Sequence, residues 1–372
     1  MISGVILSLS VDIIKRFPWT YLLIPPLLSF RGSIMGILVG RVSTGIHLGT
    51  INPSIRRNTP HFYSLLISTY ILRFAGVTMI ILLTSILSLI IYKALLPIIK
   101  MFIIILASLE LSYIIVLLFS MSICNAAYRF GIDPDYVLYP STSSIADVIS
   151  ISIFIIMIYI YNMLNSLTPL CIIIILSYLF LILVIKGKTI IISEIYKTIR
   201  EAFISIVLVA IIVSSTAVLF KELMIPSLIG VFILLIYPSF LTTTGDAGCI
   251  FGSKLTTKLH IGEIGVKLRD LLEMIRLITP ILISYIIMLT LYGGVYPLIL
   301  YANLKLIFTS FLPVTILAGL LSIAIITMLN LLITNVTFRI GLDPDHFINP
   351  LISSLSDYIG TLSLLTIIGI LS

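Results

Sequence analysis

Long, unbroken apolar runs alternate with short polar stretches along the whole chain. "FAGVTMIILLTSILSLIIY" and "AFISIVLVAIIVSSTAVLF" are two of these runs, and each approaches the roughly 20 residues that a helix needs to cross a bilayer. They are apolar at almost every position, whereas the strands of a membrane barrel are apolar at every second one. The pattern predicts an all-α polytopic membrane protein embedded in a lipid bilayer.

The apolar spans form two sets of five with one connecting span between them. The first set covers residues 1–14, 20–46, 68–92, 98–128 and 138–161. The connecting span covers 167–185, and the second set covers 202–221, 226–258, 278–300, 306–337 and 347–371. These limits predict a first five-helix repeat at 1–166, a connecting helix and loop at 167–200, and a second five-helix repeat at 201–372. The first span begins opposite Ser214 of the second repeat, which indicates either a short first helix or a start codon upstream.

The two sets of spans carry copies of one sequence pattern. "RFGIDPDYVLYPSTSSIAD" begins at Arg129 and "RIGLDPDHFINPLISSLSD" begins at Arg339. Earlier in each half, "GSIMGILVGRVSTGIHLG" from Gly32 aligns with "GDAGCIFGSKLTTKLHIG" from Gly245. Five spans plus one connecting span restore the starting orientation, so the repeats should be parallel and related by a pseudo-twofold axis along the membrane normal. One chain would then act as a monomeric pseudo-dimer.

Composition agrees with a membrane protein and adds a sidedness. Hydrophobic residues make up 60% of the chain and charged residues 10%, against about 25% charged in ordinary soluble domains. The net charge of +7 is interpreted as loop charge that fixes orientation, and no basic run with interleaved aromatic residues indicates a nucleic-acid partner. The face richer in Lys and Arg should be cytoplasmic. This places the N-terminus inside, the C-terminus outside and both "DPD" loops at the cytoplasmic mouth of a plasma-membrane protein.

Each repeat carries one "DPD" element, although acids are otherwise scarce. Its carboxylates are Asp133 and Asp135 in the first repeat and Asp343 and Asp345 in the second. An Asp followed by a Pro is typical of a helix start, and a ring of carboxylates at a pore mouth would also concentrate cations. The two interpretations are compatible, and both stay open.

Asp147 and its counterpart Asp357 lie deeper in their apolar spans. If the helix begins near Asp135, Asp147 lies about 18 Å along it, or about 10 Å if Pro140 begins the helix. A carboxylate at that depth is costly unless water, a cation or a partner group faces it. No Lys or Arg in the same span can pair with Asp147. A protonated aspartate bound to neighbouring helices is the structural alternative.

Serine hydroxyls accompany both deep aspartates on the same helix face. These are Ser143 and Ser144 in the first repeat and Ser353 and Ser354 in the second. Two carboxylates that approach across the pseudo-twofold axis, with serine oxygens beside them, would form an all-oxygen site. Such ligands suit a hard cation that keeps part of its water, Mg²⁺ above all.

Other residues that recur in both repeats have two interpretations each. Gly32 and Gly245 belong to glycine-rich helix faces, which allow close helix packing or bring backbone carbonyls near an ion pathway. Asp246 would add a carboxylate to such a pathway. Asn125 and Asn335 either bridge helices or contact a hydrated ion.

The remaining polar residues of the spans form no metal-type motif. The three cysteines lack the spacing of a metal site, and the four histidines are interpreted as interfacial polar residues. Glu110 aligns with Leu320 and has no counterpart in the second repeat. We interpret it as an unpaired intramembrane acid that could couple transport to protons or sodium.

The paired motifs resemble those of a known family. "GLDPDHFINPLISSLSD" is similar to the signature of the eukaryotic solute carrier family 41 magnesium transporters, and the related bacterial MgtE magnesium channels carry a similar Asp-Pro element. "TTTGDAGCIFGSKLTTKLHIGEI" resembles the glycine-rich second helix of MgtE, whereas "GRVSTGIHLG" is closer to the solute carriers. The resemblance implies two five-helix units around a central pore. The chain begins almost directly in the membrane, so we expect no gating through the cytoplasmic sensing domains of MgtE.

The resemblance also implies a set of metal ligands. In that family the last-helix aspartates of both units bind Mg²⁺, helped by a backbone carbonyl four residues earlier. Carried over, these ligands are Asp147 and Asp357 with the carbonyls of Ser143 and Ser353, and Mg²⁺ is the bound and transported ion. Asp246 stands where MgtE has an Asn, so the selectivity need not be that of MgtE.

Transport of a divalent cation is the leading hypothesis, and it makes the protein a transporter and not an enzyme. A channel and an exchanger coupled to Na⁺ or H⁺ are both open. An intramembrane aspartyl protease would also use two membrane aspartates, but "SIAD" and "SLSD" lack the "YD", "GxGD" and "PAL" contexts of such proteases. A non-conducting membrane scaffold is the third alternative.

Overall fold

The protein is almost entirely helical in a computed structural model. The structure describes residues 2–47, 49–52, 58–93, 96–130, 134–164, 169, 171–177, 190–223, 228–261, 271–295, 311–340 and 345–371. Within these ranges there is no β-strand, and nine helical segments are long and apolar enough to cross a membrane. The prediction of an all-α polytopic membrane protein is confirmed.

Two short helices and nine longer ones account for most of the described chain. In the first half they are Ile2–Leu9 (α1), Val11–Arg16 (α2), Arg31–His47 (α3), Pro60–Tyr92 (α4), Ile98–Arg129 (α5) and Pro134–Leu164 (α6). In the second half they are Ile192–Leu223 (α7), Leu228–Ile261 (α8), Leu271–Thr290 (α9), Leu312–Ile340 (α10) and Asp345–Leu371 (α11). A π-helical turn, Leu291–Val295, follows α9 directly.

The predicted spans match these helices, and the differences lie mainly at the ends. Helices α4 and α7 begin at Pro60 and Ile192, before the predicted starts at 68 and 202. A span predicted from hydrophobicity includes only the apolar part of a helix, whereas the backbone hydrogen bonds of the helix also continue through its polar turns. The predicted span 1–14 consists of the short helices α1 and α2. Most of the predicted connecting span, 167–185, lies outside the described residues.

The helix that carries the first glycine motif, the stretch "GSIMGILVGRVSTGIHLG" from Gly32, changes its winding before Arg31. The second glycine motif is the aligned stretch from Gly245. The chain is a 3-10 helix over Pro18–Leu23 and a π-helix over Pro26–Phe30, and it becomes α3 at Arg31. Pro25 and Pro26 lack a backbone N–H and clash with preceding carbonyls, so regular α-helical hydrogen bonding cannot pass through them. π-helical turns of this kind are frequent at functional sites.

The chain divides into two compact units. The first unit comprises Leu9–Ala217, and the second comprises Met1–Ser8 together with Val218–Ser372. In the first unit α5 packs along α6, and α3 packs against α4, α5 and α6. Most of α7, up to Ala217, belongs to this unit as well. Its Ser214 hydroxyl donates a hydrogen bond of 3.2 Å to the Ile80 carbonyl of α4.

The second unit repeats this arrangement with the corresponding helices. Here α10 packs along α11, and α8 packs against α9, α10 and α11. Each unit thus places the helix with the glycine motif (α3 or α8) beside the helix with the deep aspartate (α6 or α11). The units are defined by packing, and the sequence limits of the repeats at 1–166, 167–200 and 201–372 stay a prediction.

A close backbone contact holds α1 within the second unit. A Cβ atom added at Gly4 would fall on the backbone carbonyl oxygen of Leu235 in α8. We expect Gly4→Ala to lower the free energy of unfolding by about 1–3 kcal/mol, the usual cost of adding a group to a filled contact. Titration of the purified protein with SDS, followed by far-UV circular dichroism, measures this change.

Gly369→Ala is the matched control for that substitution. Gly369 lies on α11 of the same unit, and a Cβ there meets nothing within 4 Å. Ala is favoured over Gly inside a helix, so the control should unfold at the same or a slightly higher SDS fraction. If Gly4→Ala and Gly369→Ala lost the same amount of stability in the SDS titration, this result would contradict the importance of the Gly4 contact.

Candidate functional site

Asp147 lies on the buried face of α6 in the first unit. The helix begins at Pro134 and continues through Pro140, so the earlier of the two predicted helix starts is correct. Asp147 therefore lies about 20 Å along the helix axis. Its side chain is 6% exposed, which excludes a water-facing carboxylate in this state and requires a partner group.

Arg31, the first residue of α3, is that partner. Its Nη2 atom donates a hydrogen bond to Oδ1 of Asp147, and its side chain is 6% exposed. A buried carboxylate with an opposite charge beside it is far more stable than one that is alone. Arg31 was not among the predicted site residues, because it lies on a different span from Asp147. The sequence did contain a signal for it, because Arg31 is a basic residue inside the membrane-length stretch Pro18–Leu38.

The other predicted residues of the first unit lie on the packed helices α3, α5 and α6. Gly32 follows Arg31 directly on α3, and α3 packs against α6. Ser143 is half-buried and Ser144 is exposed on α6, one turn before Asp147. Asn125 is half-buried near the end of α5. The structure thus brings the first glycine motif and the first deep aspartate to neighbouring helices.

Asp357 occupies the matching place on α11 in the second unit. It is 6% exposed, and Ser353 and Ser354 before it are half-buried and buried. The Thr361 hydroxyl donates a hydrogen bond of 2.6 Å to the Asp357 carbonyl and shares one of 2.9 Å with the hydroxyl of Tyr237 on α8. The bond between Thr361 and Tyr237 ties α8 to α11 one turn from the aspartate.

The second glycine motif brings three helices of this unit together. A Cβ at Gly248 on α8 would lie 2.8 Å from Cγ2 of Ile326 on α10 and 2.9 Å from Cγ2 of Ile352 on α11. The Asn330 side chain on α10 also donates a hydrogen bond of 3.0 Å to the Gly248 carbonyl. At this position the close-packing interpretation of the glycines is supported.

Gly245 faces the residue that precedes the second deep aspartate. A Cβ at Gly245 would lie 4.0 Å from Cβ of Ser356, the residue before Asp357. Asp246 is half-buried on the same helix, and Asn335 is half-buried near the end of α10. The structure therefore brings the Gly245 segment and the Asp357 helix face together.

The "DPD" carboxylates lie outside the described side chains. Asp133 and Asp343 lie outside the described residues, and Asp135 and Asp345 are described only as backbone in the first turn of α6 and α11. His47, His260 and His346 are likewise described only as helix backbone. His61 is described, and its Nδ1 atom lies 2.5 Å from Oε1 of Glu194 at a partly exposed site.

Glu110 is paired, contrary to the sequence interpretation. The Nη2 atom of Arg73 on α4 donates a hydrogen bond of 2.8 Å to its Oε2 atom, and the two side chains are 3% and 2% exposed. The guanidinium group lies 4.0 Å from the ring centroid of Tyr113. The interpretation of Glu110 as an unpaired acid was therefore wrong. Arg73 was not predicted as its partner, because the two residues lie on different helices.

The described residues contain no group of three or more His, Cys, Asp or Glu side chains that could hold a metal ion. The three cysteines form no disulfide bond with one another. Cys124 and Cys249 are buried and Cys171 is exposed.

A family model matches both halves of the chain. It is the model of MgtE, described as a divalent cation transporter, and it covers residues 24–157 and 237–367, which is well over half of the sequence. The first region includes Arg31 and Asp147, and the second includes Asp246 and Asp357. Comparisons with curated proteins and with solved structures give no match. The two matched regions confirm a tandem arrangement of two repeats, and the chain belongs to the MgtE family of divalent cation transporters.

Proposed function

We propose that the protein carries Mg²⁺ across the membrane along a pathway at the interface of its two repeats. Asp147 and Asp357 bind the partly hydrated ion, helped by the carbonyls of Ser143 and Ser353. The observation that carries this proposal is the recurrence of one buried aspartate at the same place in the last helix of each region matched by the divalent cation transporter family. Transport is then the function of the chain, with no enzymatic step.

The chemistry of the ligands favours Mg²⁺. Carboxylate and carbonyl oxygens are hard ligands, and Mg²⁺ keeps several of its waters while one or two carboxylates hold it. Zn²⁺ and Cu⁺ prefer imidazole or thiolate. The sulfur and nitrogen ligands that would favour these softer ions are absent from the proposed set.

Residues around the aspartates complete the proposed pathway. They are Asn125, Asn335, Ser144, Ser354, Asp246, Gly32 and Gly245, with Asp133, Asp135, Asp343 and Asp345 at the cytoplasmic mouth. Polar oxygens and amides along a pathway replace part of the water that an ion loses. The N-terminus is proposed to be cytoplasmic and the C-terminus outside, in the plasma membrane, from the distribution of Lys and Arg among the loops.

Flux into proteoliposomes tests this function. Vesicles with the purified chain and an internal metal-sensitive dye would receive Mg²⁺, Mn²⁺, Co²⁺ or Ca²⁺, with and without a sodium or proton gradient. We expect Mg²⁺ influx well above that of protein-free vesicles and above Ca²⁺ influx. Influx without any gradient indicates a channel, and influx only with an opposing gradient indicates an exchanger. No divalent influx under either condition would contradict the proposal.

A further inference from the structure

Arg31 neutralises one of the two aspartates that the proposed function assigns to the ion. Its guanidinium group is held at Oδ1 of Asp147 through Nη2, and the pair is almost completely buried. The Nε atom of the same group is buried without a hydrogen-bond partner in the described part of the chain. Arg31 is therefore held chiefly by its charge contact with Asp147.

The second repeat has no arginine at the matching position. Because Gly32 aligns with Gly245, Arg31 aligns with Thr244. The Thr244 hydroxyl donates a hydrogen bond of 2.7 Å to the Phe240 carbonyl and shares one of 2.8 Å with the Tyr285 hydroxyl. At equivalent positions, the first repeat thus has a permanent cation, Arg31. The second repeat has an uncharged hydroxyl, Thr244, which is hydrogen-bonded to the backbone of its own helix.

We propose that Arg31 is a tethered competitor of the transported cation and sets the concentration at which the ion loads onto Asp147. This inference rests on the proposed function, because it takes Asp147 as an ion ligand. A guanidinium group cannot lose its proton in a protein, so only displacement frees the carboxylate oxygen that it occupies. A divalent ion at the same distance is attracted about twice as strongly as this single charge, so it can displace Arg31.

The displaced arginine would also speed the release of the ion. Arg31 stays positive and tethered beside Asp147, so it repels the bound ion and can return to the carboxylate as the ion leaves. Conduction requires a site that binds well enough to fill and weakly enough to empty. A buried carboxylate pair alone would tend to hold a divalent cation too long.

The substitution Arg31→Thr tests the inference, because it gives the first repeat the residue of the second. Mg²⁺ influx into proteoliposomes is measured over a range of Mg²⁺ concentrations, for the full chain and the variant. We expect the half-saturating concentration to fall by about tenfold, since hydrogen bonds to charged groups are commonly strong enough for such a change. The maximal rate of Mg²⁺ influx should not rise by the same factor. A partner that only stabilises the fold would lower the maximal rate and leave the half-saturating concentration unchanged.

Arg31→Gln is the second variant, in case Arg31→Thr does not fold. Its amide can still donate a hydrogen bond to Asp147 but carries no charge, and the same decrease is expected. The double variant Arg73→Leu with Glu110→Leu is the control, because it removes another buried arginine of the same unit. It should leave the half-saturating concentration unchanged.

The outcomes separate this inference from the function on which it rests. Mg²⁺ influx in the unmodified chain with an unchanged half-saturating concentration in both Arg31 variants overturns the inference alone. No influx in the unmodified chain or in either variant overturns both.

Discussion

Asp357→Asn is expected to reduce Mg²⁺ influx into proteoliposomes by at least about tenfold at low Mg²⁺ concentration. The amide keeps the size of the side chain but removes the negative charge that holds a divalent cation. A charged ligand contributes enough to binding that its loss changes affinity by about tenfold or more. Asp357 is the better test of the two aspartates, because substitution of Asp147 would also leave the buried Arg31 without its carboxylate.

The matched control is Asp12→Asn, the same chemical change at an exposed acid of α2. Its influx should equal that of the unmodified chain, because Asp12 lies outside the proposed pathway. Reconstitution is normalised to the amount of folded protein in each vesicle preparation. Undiminished influx in folded Asp357→Asn would contradict the assignment of this carboxylate to the ion.

The helices were predictable because each membrane span imposes the same physical requirement. A continuous apolar run of sufficient length must be helical in lipid, since every backbone polar group then finds its partner within the segment. The start of α7 was placed too late because its first turns carry Glu194, Lys197 and Arg200, and charged residues do not end a helix. The start of α4 was also placed too late, although Phe62, Leu65 and Leu66 in its first turns are apolar. The π-helical turn before Arg31 was not predicted, although Pro25 and Pro26 were its visible cause.

The deep aspartates were predictable, and their surroundings only in part. A carboxylate inside an apolar run is visible in the sequence, and its recurrence in the second repeat identified Asp147 and Asp357 together. The arginines were not found because Arg31 and Arg73 pair with acids on other helices, and sequence spacing carries no information on such contacts. Both are basic residues inside apolar spans, and each implies a partner by the same desolvation argument that applied to the aspartates.

A second large effect is expected at the buried pair formed by Arg73 and Glu110. Glu110→Leu gives α5 the residue that the second repeat has at the aligned position, Leu320. It leaves the Arg73 charge buried without its carboxylate, and breaking a buried pair in this way usually costs about 3–5 kcal/mol. SDS titration should show the variant unfolding at a clearly lower SDS fraction than the unmodified chain.

Removal of both charges should restore most of the loss. Arg73→Leu with Glu110→Leu leaves no unpaired charge, and apolar replacement of a whole buried pair is often neutral for stability. Nε and Nη1 of Arg73 are buried without hydrogen-bond partners among the described residues, so the double variant also removes two unsatisfied donors. A double variant as unstable as Glu110→Leu would contradict an ion pair whose main role is mutual neutralisation.

The same double variant decides whether Glu110 couples transport to a second ion. Its partner Arg73 neutralises the carboxylate, which favours a structural pair over a group that exchanges protons or sodium during each cycle. We therefore expect the folded double variant to transport Mg²⁺ with the same dependence on sodium and proton gradients as the unmodified chain. Loss of a gradient dependence that the unmodified chain has, with Mg²⁺ influx itself retained, would instead identify Glu110 as the coupling group.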